Sequence, residues 1–234
     1  LLDAERVGTL SEALADGALP KLMELYLYEN QIGDAGLGHL ASACARGALP
    51  KLKMLFLNNN QIGDAGVRAL SQILADGALP SLESLDLSIN QIGDAGVVHL
   101  ASACARGALP KLEVLFLVGN QIGATGMGHL ANACARGALP KLKELYLSIN
   151  QIGDAGVGHL ASACARGAMP KLEKLYLEDN HIGDAGALAL AGALVGSVLP
   201  CCKFIFIDNN PASREALLAV REAVASLRES RVRL

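Results

Sequence analysis

The chain has 234 residues, a formal net charge of −3 and a hydrophobic content of 52%. This length allows one large domain or two small ones, with ample apolar material for a buried core. A charge so close to zero disfavours nucleic acid as a partner, because a phosphate-binding surface needs a clear excess of lysine and arginine.

The first predicted element is helical. Residues 1–18 have the pattern of the helical half of a repeat unit or of an N-terminal cap, and we expect further repeats or a cap before them. From residue 19 onward, a Leu-Pro or Met-Pro pair returns every 30 residues. These pairs begin at Leu19, Leu49, Leu79, Leu109, Leu139, Met169 and Leu199. Such a fixed period is typical of solenoids, so the sequence predicts six full units and a seventh strand within residues 19–210.

Each unit contains a strand half and a helical half. Residues 25–28 alternate between leucine and tyrosine, which is the spacing of a strand. We predict that Asp34 is the N-cap of the helix that follows it and that Gly47 ends this helix in the left-handed conformation. In the fourth unit Ala124 replaces the aspartate, and Thr125 is expected to cap instead. The apolar face of the first such helix is made by Leu37, Leu40, Ala41 and Cys44.

The repeat also predicts the overall shape. Strands that lie one unit apart and run in the same sense must pair in parallel. Neighbouring strands are about 4.8 Å apart, whereas packed helices need about 8–10 Å, so the stack curves with its sheet inside. The predicted fold is therefore α/β, a right-handed solenoid or horseshoe with a concave parallel β-sheet and convex α-helices.

Residues 211–234 are predicted to form a C-terminal capping helix and tail. Pro211 suits the first position of a helix, while Leu217, Val220 and Val224 supply one apolar face. A cap with a polar outer face is what the end of a solenoid requires.

The consensus of the first unit is Leu22-x-x-Leu25-x-Leu27-x-x-Asn30-x-Ile32-Gly33-Asp34-x-Gly36. It resembles the ribonuclease-inhibitor class of leucine-rich repeats, which is also found in Ran GTPase-activating proteins and in the sensor region of NOD-like receptors. The resemblance covers about residues 19–210. It implies a horseshoe fold and, as one alternative function, regulation of a small GTPase. It also implies a hydrogen-bonded ladder of Asn30, Asn60, Asn90, Asn120, Asn150, Asn180 and Asn210.

The cysteines are interpreted as structural. Four of them share one position on the inward helix face, where small hydrophobic residues are expected. Neighbouring helices place these thiols about 8–10 Å apart, which is too far for disulfides. Cys202 is expected in the core and Cys201 nearer the surface, and unpaired thiols favour an intracellular, reducing compartment. The four helical cysteines are Cys44, Cys104, Cys134 and Cys164.

The histidines are interpreted as surface residues. They recur on the outer helix face, where shared metal binding is disfavoured because adjacent helices hold the imidazoles too far apart. Repeated pairs such as His159 and Ser162 are expected to have no pocket and no third, orienting group, as nucleophilic catalysis requires. We therefore predict that the protein is not an enzyme and uses no metal or cofactor. The recurring histidines are His39, His99, His129 and His159.

One uncharged segment, residues 185–202, reaches the minimum length of a membrane helix. It contains Gly192, Gly196 and Pro200, and it is in register with the helical halves of the other units. We therefore expect no membrane span.

The strand residue between the two core leucines is predicted to point into the concavity. Aromatic residues hold this position in six of seven units, and no aromatic residue lies in a helical half. An open aromatic stripe is typical of a protein-binding surface. The alternative is that the rings merely cover the sheet, since aromatics favour strands. The proposed contacts are Tyr26, Tyr28, Phe56, Asp86, Phe116, Tyr146, Tyr176 and Phe206.

Acidic residues outnumber lysines at the predicted concave positions, and Glu24, Glu144 and Glu178 are added to the proposed contacts. This excess favours a protein partner with a basic or Arg-bearing surface. A second docking site is predicted on the outer face of the sixth repeat helix, at Ala189, Gly192 and Gly196, with ordinary sequence variation near the cap as the alternative explanation of these small residues. The alternative function is that of a permanent subunit of a larger assembly, which would dock through that face or through the C-terminal end.

Overall fold

The computed structural model describes residues 1–195, 199 and 201–232, without the side chains of 228–232. Helices and three-residue strands alternate along these residues. The helices are α1 (Ala4–Ala15), α2 (Gly33–Ala45), α3 (Asp64–Ala75), α4 (Asp94–Ala105), α5 (Ala124–Ala135), α6 (Asp154–Ala165), α7 (Asp184–Val195) and α8 (Arg214–Val232). The strands are β1 (Glu24–Tyr26), β2 (Met54–Phe56), β3 (Ser84–Asp86), β4 (Val114–Phe116), β5 (Glu144–Tyr146), β6 (Lys174–Tyr176) and β7 (Phe204–Phe206).

The strands form one parallel sheet in the order of the sequence, from β1 to β7. Each residue pairs with the residue 30 positions later, as Leu25 does with Leu55 and Leu55 with Leu85. The helices pack against one another in the same order on one side of the sheet. The prediction of an α/β leucine-rich-repeat solenoid with 30-residue units is confirmed.

The core lies between the sheet and the helices. In the second unit Leu55 and Leu57 point from the strand into this core, and Val67 and Leu70 point into it from α3; each is at most 1% exposed. The alternate strand residues face the other way, since successive side chains of a strand point to opposite sides. The core leucines therefore fix which side chains the concave face presents.

An asparagine ladder joins the units, as the resemblance implied. Asn120 donates from Nδ2 to the carbonyl of Leu87 in the preceding unit at 3.0 Å and to that of Leu117 in its own unit at 3.2 Å. Its Oδ1 accepts from the amide of Ile92 at 3.1 Å. The neighbouring asparagines repeat this pattern. The turns can therefore be buried, because their backbone groups keep hydrogen-bond partners.

The predicted N-cap role of Asp34 within its own helix is wrong. Its Oδ1 instead accepts from the amides of Gly63 at 2.7 Å and Gly66 at 2.9 Å, both in the next unit. These amides lie at the N-cap and third positions of α3, and Gly63 has no side chain to cap that helix. Each such aspartate therefore caps the helix of the following repeat, because stacking places its carboxylate beside that helix terminus.

The fourth unit departs from this pattern. Thr125 does not cap α5, whose N-cap is Gly123 and has no side-chain cap hydrogen bond. The amide of Gly123 is bound by Asp94 of the preceding unit at 2.7 Å. Ala124 has no carboxylate, so its side chain cannot accept hydrogen bonds from the N-terminal amides of the next helix, α6.

The helix ends follow the prediction. Gly47 has φ of +90°, and glycines hold the corresponding left-handed position after α1, α3, α4, α5 and α6. Its amide donates to the carbonyl of Cys44 at 3.0 Å, and the amide of Ala48 donates to that of Ala43 at 3.2 Å. This pair of bonds is a Schellman motif, which satisfies the last carbonyls of the helix.

The C-terminal helix begins later than predicted, at Arg214 rather than at Pro211. Ser213 caps it, since its Oγ accepts from the amide of Ala216 at 3.3 Å. The amide of Ser213 donates to Asp184 at 2.6 Å, so the aspartate of the sixth unit holds α8 as its counterparts hold the repeat helices. Val220 and other apolar residues of α8 are buried against α7 and β7.

Candidate binding surface on the concave face

The structure places all the proposed concave contacts on the open face of the sheet, and none of them is buried. One position per strand forms a row that we call the inner column. Its members are Tyr26, Phe56, Asp86, Phe116, Tyr146, Tyr176 and Phe206. The remaining contacts, Tyr28, Glu24, Glu144 and Glu178, flank this column.

The C-terminal part of the inner column is a ring stack, which we call the stacked half: Phe116, Tyr146, Tyr176 and Phe206. The successive ring centroids are 4.4, 4.1 and 4.6 Å apart, with interplanar angles of 23°, 9° and 11°. Strand spacing of about 4.8 Å brings identical positions close enough to stack. The ring faces are therefore covered by one another, and mainly their edges remain for a partner.

The N-terminal part is arranged differently, and we call it the open half: Tyr26, Tyr28, Phe56 and Asp86. Tyr26 meets Tyr28 and Phe56 edge to face, with centroids 6.4 and 5.1 Å apart. Tyr26 and Tyr28 remain 49% and 48% exposed. Ring faces are therefore accessible here, and they are available to apolar groups or to a cation.

Asp86 interrupts the column between the two halves. The rings of Phe56 and Phe116 lie on either side of it in the sheet, yet their centroids are only 6.4 Å apart at 74°. The Asp86 carboxylate accepts from the amide of Ser88 at 2.8 Å. A partly exposed carboxylate thus lies on the strand between those of two rings, an arrangement that suits an arginine or lysine side chain.

Both halves contain a tyrosine whose hydroxyl donates to a glutamate at 2.6 Å, Tyr26 to Glu24 and Tyr146 to Glu144. The hydrogen bond to Glu24 raises the pKa of Tyr26. Burial, followed by the bond to Glu144, raises that of Tyr146. Glu144 also binds Lys174 at 2.9 Å, whereas Glu24 forms no ion pair with any residue that the structure describes. The two glutamates therefore differ in how much charge they leave for a partner.

Lysines of the concave face are neutralised by glutamates on neighbouring strands. The pairs are Lys53 with Glu83 at 3.0 Å, Lys143 with Glu113 at 2.7 Å, Lys174 with Glu144 at 2.9 Å, and Lys203 with Glu173 at 2.5 Å. Asp208 pairs with Arg221 of α8. Glu178 accepts from the hydroxyl of Ser148 at 2.6 Å. The acidic excess is therefore concentrated in carboxylates such as Glu24 and Asp86, which have no cationic partner among the described residues.

Two exposed isoleucines extend this surface and were missed in the sequence. Ile89 and Ile149 follow β3 and β5, are each 56% exposed, and have φ of +52° and +58°. A left-handed conformation is strained for a β-branched residue. Aligning the repeats identifies them, because their position otherwise holds Glu29, Asn, Gly119 or Asp.

The second predicted docking site lies on the outer face of α7. Ala189 and Gly192 are exposed there, and Gly196 falls outside the described residues. Leu188 and Val195 are 53% and 76% exposed on the same helix. This face of α7 therefore carries larger apolar side chains in addition to the small residues on which the sequence prediction was based.

The cysteine prediction is confirmed for the described residues. Cys44, Cys104, Cys134 and Cys164 are buried and form no disulfide with a described residue, Cys202 is buried, and Cys201 is partly exposed. Burial raises the pKa of the Cys104 thiol to about 12. A thiol that stays protonated at neutral pH is a poor nucleophile.

The expectation that the convex histidine–serine pairs have no pocket is wrong where α5 packs against α6. A groove of about 530 Å³ lies between α5 and α6, and His159 and Ser162 line part of it. Across residues 1–195, 199 and 201–232, no three side chains from His, Cys, Asp and Glu are grouped to hold a metal ion. No described helix is both long and apolar enough to cross a membrane.

Two protein-family models match repeat units of this chain. A family model described as "Leucine Rich repeats (2 copies)" matches residues 50–102, and one described as "Leucine Rich repeat" matches residues 18–41, 138–161 and 168–191. No curated protein matches the chain.

Two of the solved structures that are similar to this chain are each 18% identical to it. One is the crystal structure of a TDR receptor, with a TM-score of 0.41, covering 84% of this chain and 32% of that one. The other is the LRR ectodomain of the plant membrane receptor kinase GASSHO1/SCHENGEN3 from Arabidopsis thaliana, in complex with CASPARIAN STRIP INTEGRITY FACTOR 2. Its TM-score is 0.46, covering 91% of this chain and 21% of that one. The chain thus spans about a third or less of the length of either.

Proposed function

Since this chain belongs to the leucine-rich-repeat proteins, we propose that it is a non-catalytic module that binds a protein partner on its concave face. The observation that carries this proposal is the placement of every ring of the inner column on the uncovered side of a parallel sheet. Such sheets are normally covered on both faces. A contiguous exposed aromatic surface is where a protein partner gains most from desolvation.

The partner that fits best has a basic or Arg-bearing surface. The four concave lysines are already paired with glutamates. Glu24 and Asp86 of the concave face keep charge for a partner, and the rings of Tyr26 and Phe56 lie beside them. Arginine bound at this place would gain both an ion pair and a ring contact. We therefore place the strongest binding in the open half.

Two further features are part of this proposal. The repeats are of the ribonuclease-inhibitor class, which is supported by a helix of 12 or 13 residues on the convex side of each complete unit. The compartment is intracellular and reducing, which is supported by the buried thiols of Cys44, Cys104, Cys134 and Cys164, none of which forms a disulfide with a described residue.

The test compares a concave variant with a matched convex one. The concave variant replaces Phe56, Phe116 and Tyr146 by serine, which leaves the leucine core untouched. The control replaces three exposed helix residues, Glu12, Arg68 and Gln72, by serine. Partners captured by the unaltered chain are identified by mass spectrometry and then titrated against both variants.

We expect the concave variant to keep its circular dichroism spectrum and to lose most of its affinity, while the control binds as the unaltered chain does. Unchanged binding by a folded concave variant would exclude the concave face as the site.

A second proposed function is a permanent subunit that docks through α7. The exposed Leu188 and Val195 beside Ala189 and Gly192 favour it, because they form an apolar helix face without large polar side chains. Size-exclusion chromatography with light scattering tests it. A stable complex that dissociates on Leu188→Ser supports a subunit, and a soluble monomer rejects it.

A further inference from the structure

The convex face contains a second candidate site, in the groove between α5 and α6. Thr125, Gly128, His129 and Asn132 line it from α5, and His159, Ser162 and Arg166 line it from α6. The volume, about 530 Å³, is enough for a small ligand. This groove belongs to neither the concave surface nor the α7 face.

Gly128 explains why the groove between α5 and α6 is larger than the one between α4 and α5. The ring of His159 lies directly over this residue, and a Cβ at 128 would come within 3.0 Å of His159 Cδ2. Val98 holds the same position in α4, where the groove towards α5 is smaller, about 280 Å³. The two grooves share His129 and Asn132, so they form one continuous surface across three helices.

The lining groups are mainly hydrogen-bond donors or can act as donors. They include two imidazoles, a guanidinium, two hydroxyls and an amide, and no carboxylate lines either groove. Arg136 supplies a second guanidinium from the smaller groove. Such a set recognises an anion, and guanidinium groups match phosphate oxygens with paired hydrogen bonds.

The surrounding charge favours the same ligand. Residues 95–112, 114–143 and 155–172 contain no acidic residue. The two aspartates of this region, Asp94 and Asp154, lie at helix N-termini and are bound to backbone amides of the next unit. Lys143 pairs with Glu113. The other lysines and arginines of these segments are exposed and form no ion pair with a described residue: Arg106, Lys111, Arg136, Lys141, Arg166 and Lys171.

Compensation of the helix dipole does not account for these arginines by itself. Arg136 and Arg166 are C-cap residues, a position where a cation is favourable. However, Asp16 and Asp76 hold the same position at the ends of α1 and α3, so a cation is not required there. At this C-cap position, Arg136 lines the groove between α4 and α5, and Arg166 lines the groove between α5 and α6.

We propose that this convex groove binds a ligand with two or more phosphate groups, held by Arg136 and Arg166 and by the donors between them. Adjacent helices are about 8–10 Å apart, so the two guanidinium groups suit separate phosphates of one ligand rather than a single phosphate. The phosphates belong either to a soluble polyphosphorylated compound or to a phosphoinositide headgroup.

The experiment titrates the whole chain with sodium tripolyphosphate by calorimetry at low salt. In parallel, sedimentation measures binding to phosphatidylcholine vesicles with and without phosphatidylinositol bisphosphate. The site variant is Arg136→Gln with Arg166→Gln. Arg46→Gln is the matched control, because Arg46 is the C-cap of α2 and lines neither groove. Gly128→Val fills the groove with the residue that α4 has at this position.

We expect the site variant to bind at least about tenfold more weakly, since each lost arginine removes a charge-assisted hydrogen bond. Gly128→Val should weaken binding without a change of charge, and Arg46→Gln should have little effect. Binding to tripolyphosphate identifies a soluble ligand, and binding only to the phosphoinositide vesicles identifies a headgroup. The proposal is overturned if neither probe binds, or if Arg46→Gln loses as much affinity as the site variant.

Discussion

The two halves of the inner column differ although they occupy the same position on the same sheet. In the stacked half, rings on consecutive strands lie nearly parallel, with centroids 4.1 to 4.6 Å apart. In the open half, contacts are edge to face, and Asp86 interrupts the row. The strand spacing is common to both, and Tyr26 and Phe56 on adjacent strands still meet at 77°. The difference therefore arises from side-chain torsions as well as from the interruption at Asp86.

This difference separates two roles for an aromatic residue. A stacked ring contacts other rings and adds stability to the sheet, whereas an unstacked ring keeps exposed area that only a partner can cover. The same contrast is seen in charge, because Glu144 forms an ion pair with Lys174, whereas Glu24 forms none with a described residue. We therefore expect variants of the stacked half to affect folding and variants of the open half to affect binding.

The largest expected effect is on the framework that both halves share. Asn120 joins the unit of β3 to that of β4, and Asn120→Ala leaves the amide of Ile92 and the carbonyl of Leu87 without this partner. The carbonyl of Leu87 keeps its bond from Asn90, so the amide of Ile92 is the group left unsatisfied. An unsatisfied buried group costs about 1–3 kcal/mol and each lost hydrogen bond about 0.5–1.5 kcal/mol, so the free energy of unfolding should fall by about 3 kcal/mol.

Urea denaturation measures this loss, with Asn132→Ala on the exposed face of α5 as the control. One transition is expected for the variant, because the repeats pack as a continuous stack. Two separated transitions would mean that the halves fold independently, and they would then have to be compared as separate units.

The next effect compares one ring from each half. Tyr146→Ala removes stacking against Phe116 and Tyr176, and each such contact contributes about 0.5–1.5 kcal/mol. We expect a loss of about 2 kcal/mol in the free energy of unfolding. Tyr26→Ala, at an exposed ring with edge contacts, should cost less than about 1 kcal/mol. Thermal and urea denaturation measure the loss of stability in each variant. An equal loss for Tyr146→Ala and Tyr26→Ala would contradict the distinction between the halves.

Asp86→Phe should convert the open half into a continuation of the stack. The new ring would lie between Phe56 and Phe116, and we expect a gain of about 1 kcal/mol in stability together with weaker binding of a basic partner. Near-ultraviolet circular dichroism and urea denaturation report the stacking. The control is Asp86→Asn, which removes the charge without adding a ring. A destabilised Asp86→Phe would show that more than the neighbouring side chain sets the ring geometry.

The smallest effect is on pH dependence in the stacked half. Burial acts to raise the pKa of Glu144, but hydrogen bonds from Tyr146 and Lys174 outweigh it, and the pKa is lowered on folding. Its contribution is therefore present above the unfolded pKa of about 4.3 and lost as the pH falls through the folded value. Glu144→Gln should lose less stability than the unaltered chain between about pH 5 and pH 3, by under about 1 kcal/mol. Identical pH profiles would show that these bonds do not contribute.

Much of the fold was predictable because a fixed period determines which residues share a position. The strand order, the buried leucines and the left-handed glycine at 47 follow from the alignment of one unit on the next, whereas the asparagine ladder was expected from the family resemblance. The role of Asp34 did not follow. A sequence pattern places a carboxylate at a helix terminus, but only the stacking distance decides whether that terminus belongs to its own unit or to the next.

The membership of the inner column was also predictable, since it depends only on strand alternation. Its division into two halves was not, because ring orientation depends on side-chain torsions that no spacing rule specifies. The convex groove was missed for a related reason. The repeat pattern does not single out Gly128, because its effect depends on the ring of His159, which comes from the neighbouring helix.

The most direct test of the account measures, by calorimetry, the affinity of a captured partner for two double variants. One combines Phe56→Ala with Asp86→Asn in the open half, and the other combines Tyr176→Ala with Glu178→Gln in and beside the stacked half. We predict a loss of at least about 30-fold for the first, as expected for a binding hot spot, and of less than about threefold for the second. Equal losses, or a larger loss in the second, would contradict the claim that the unstacked rings around Asp86 bind the partner.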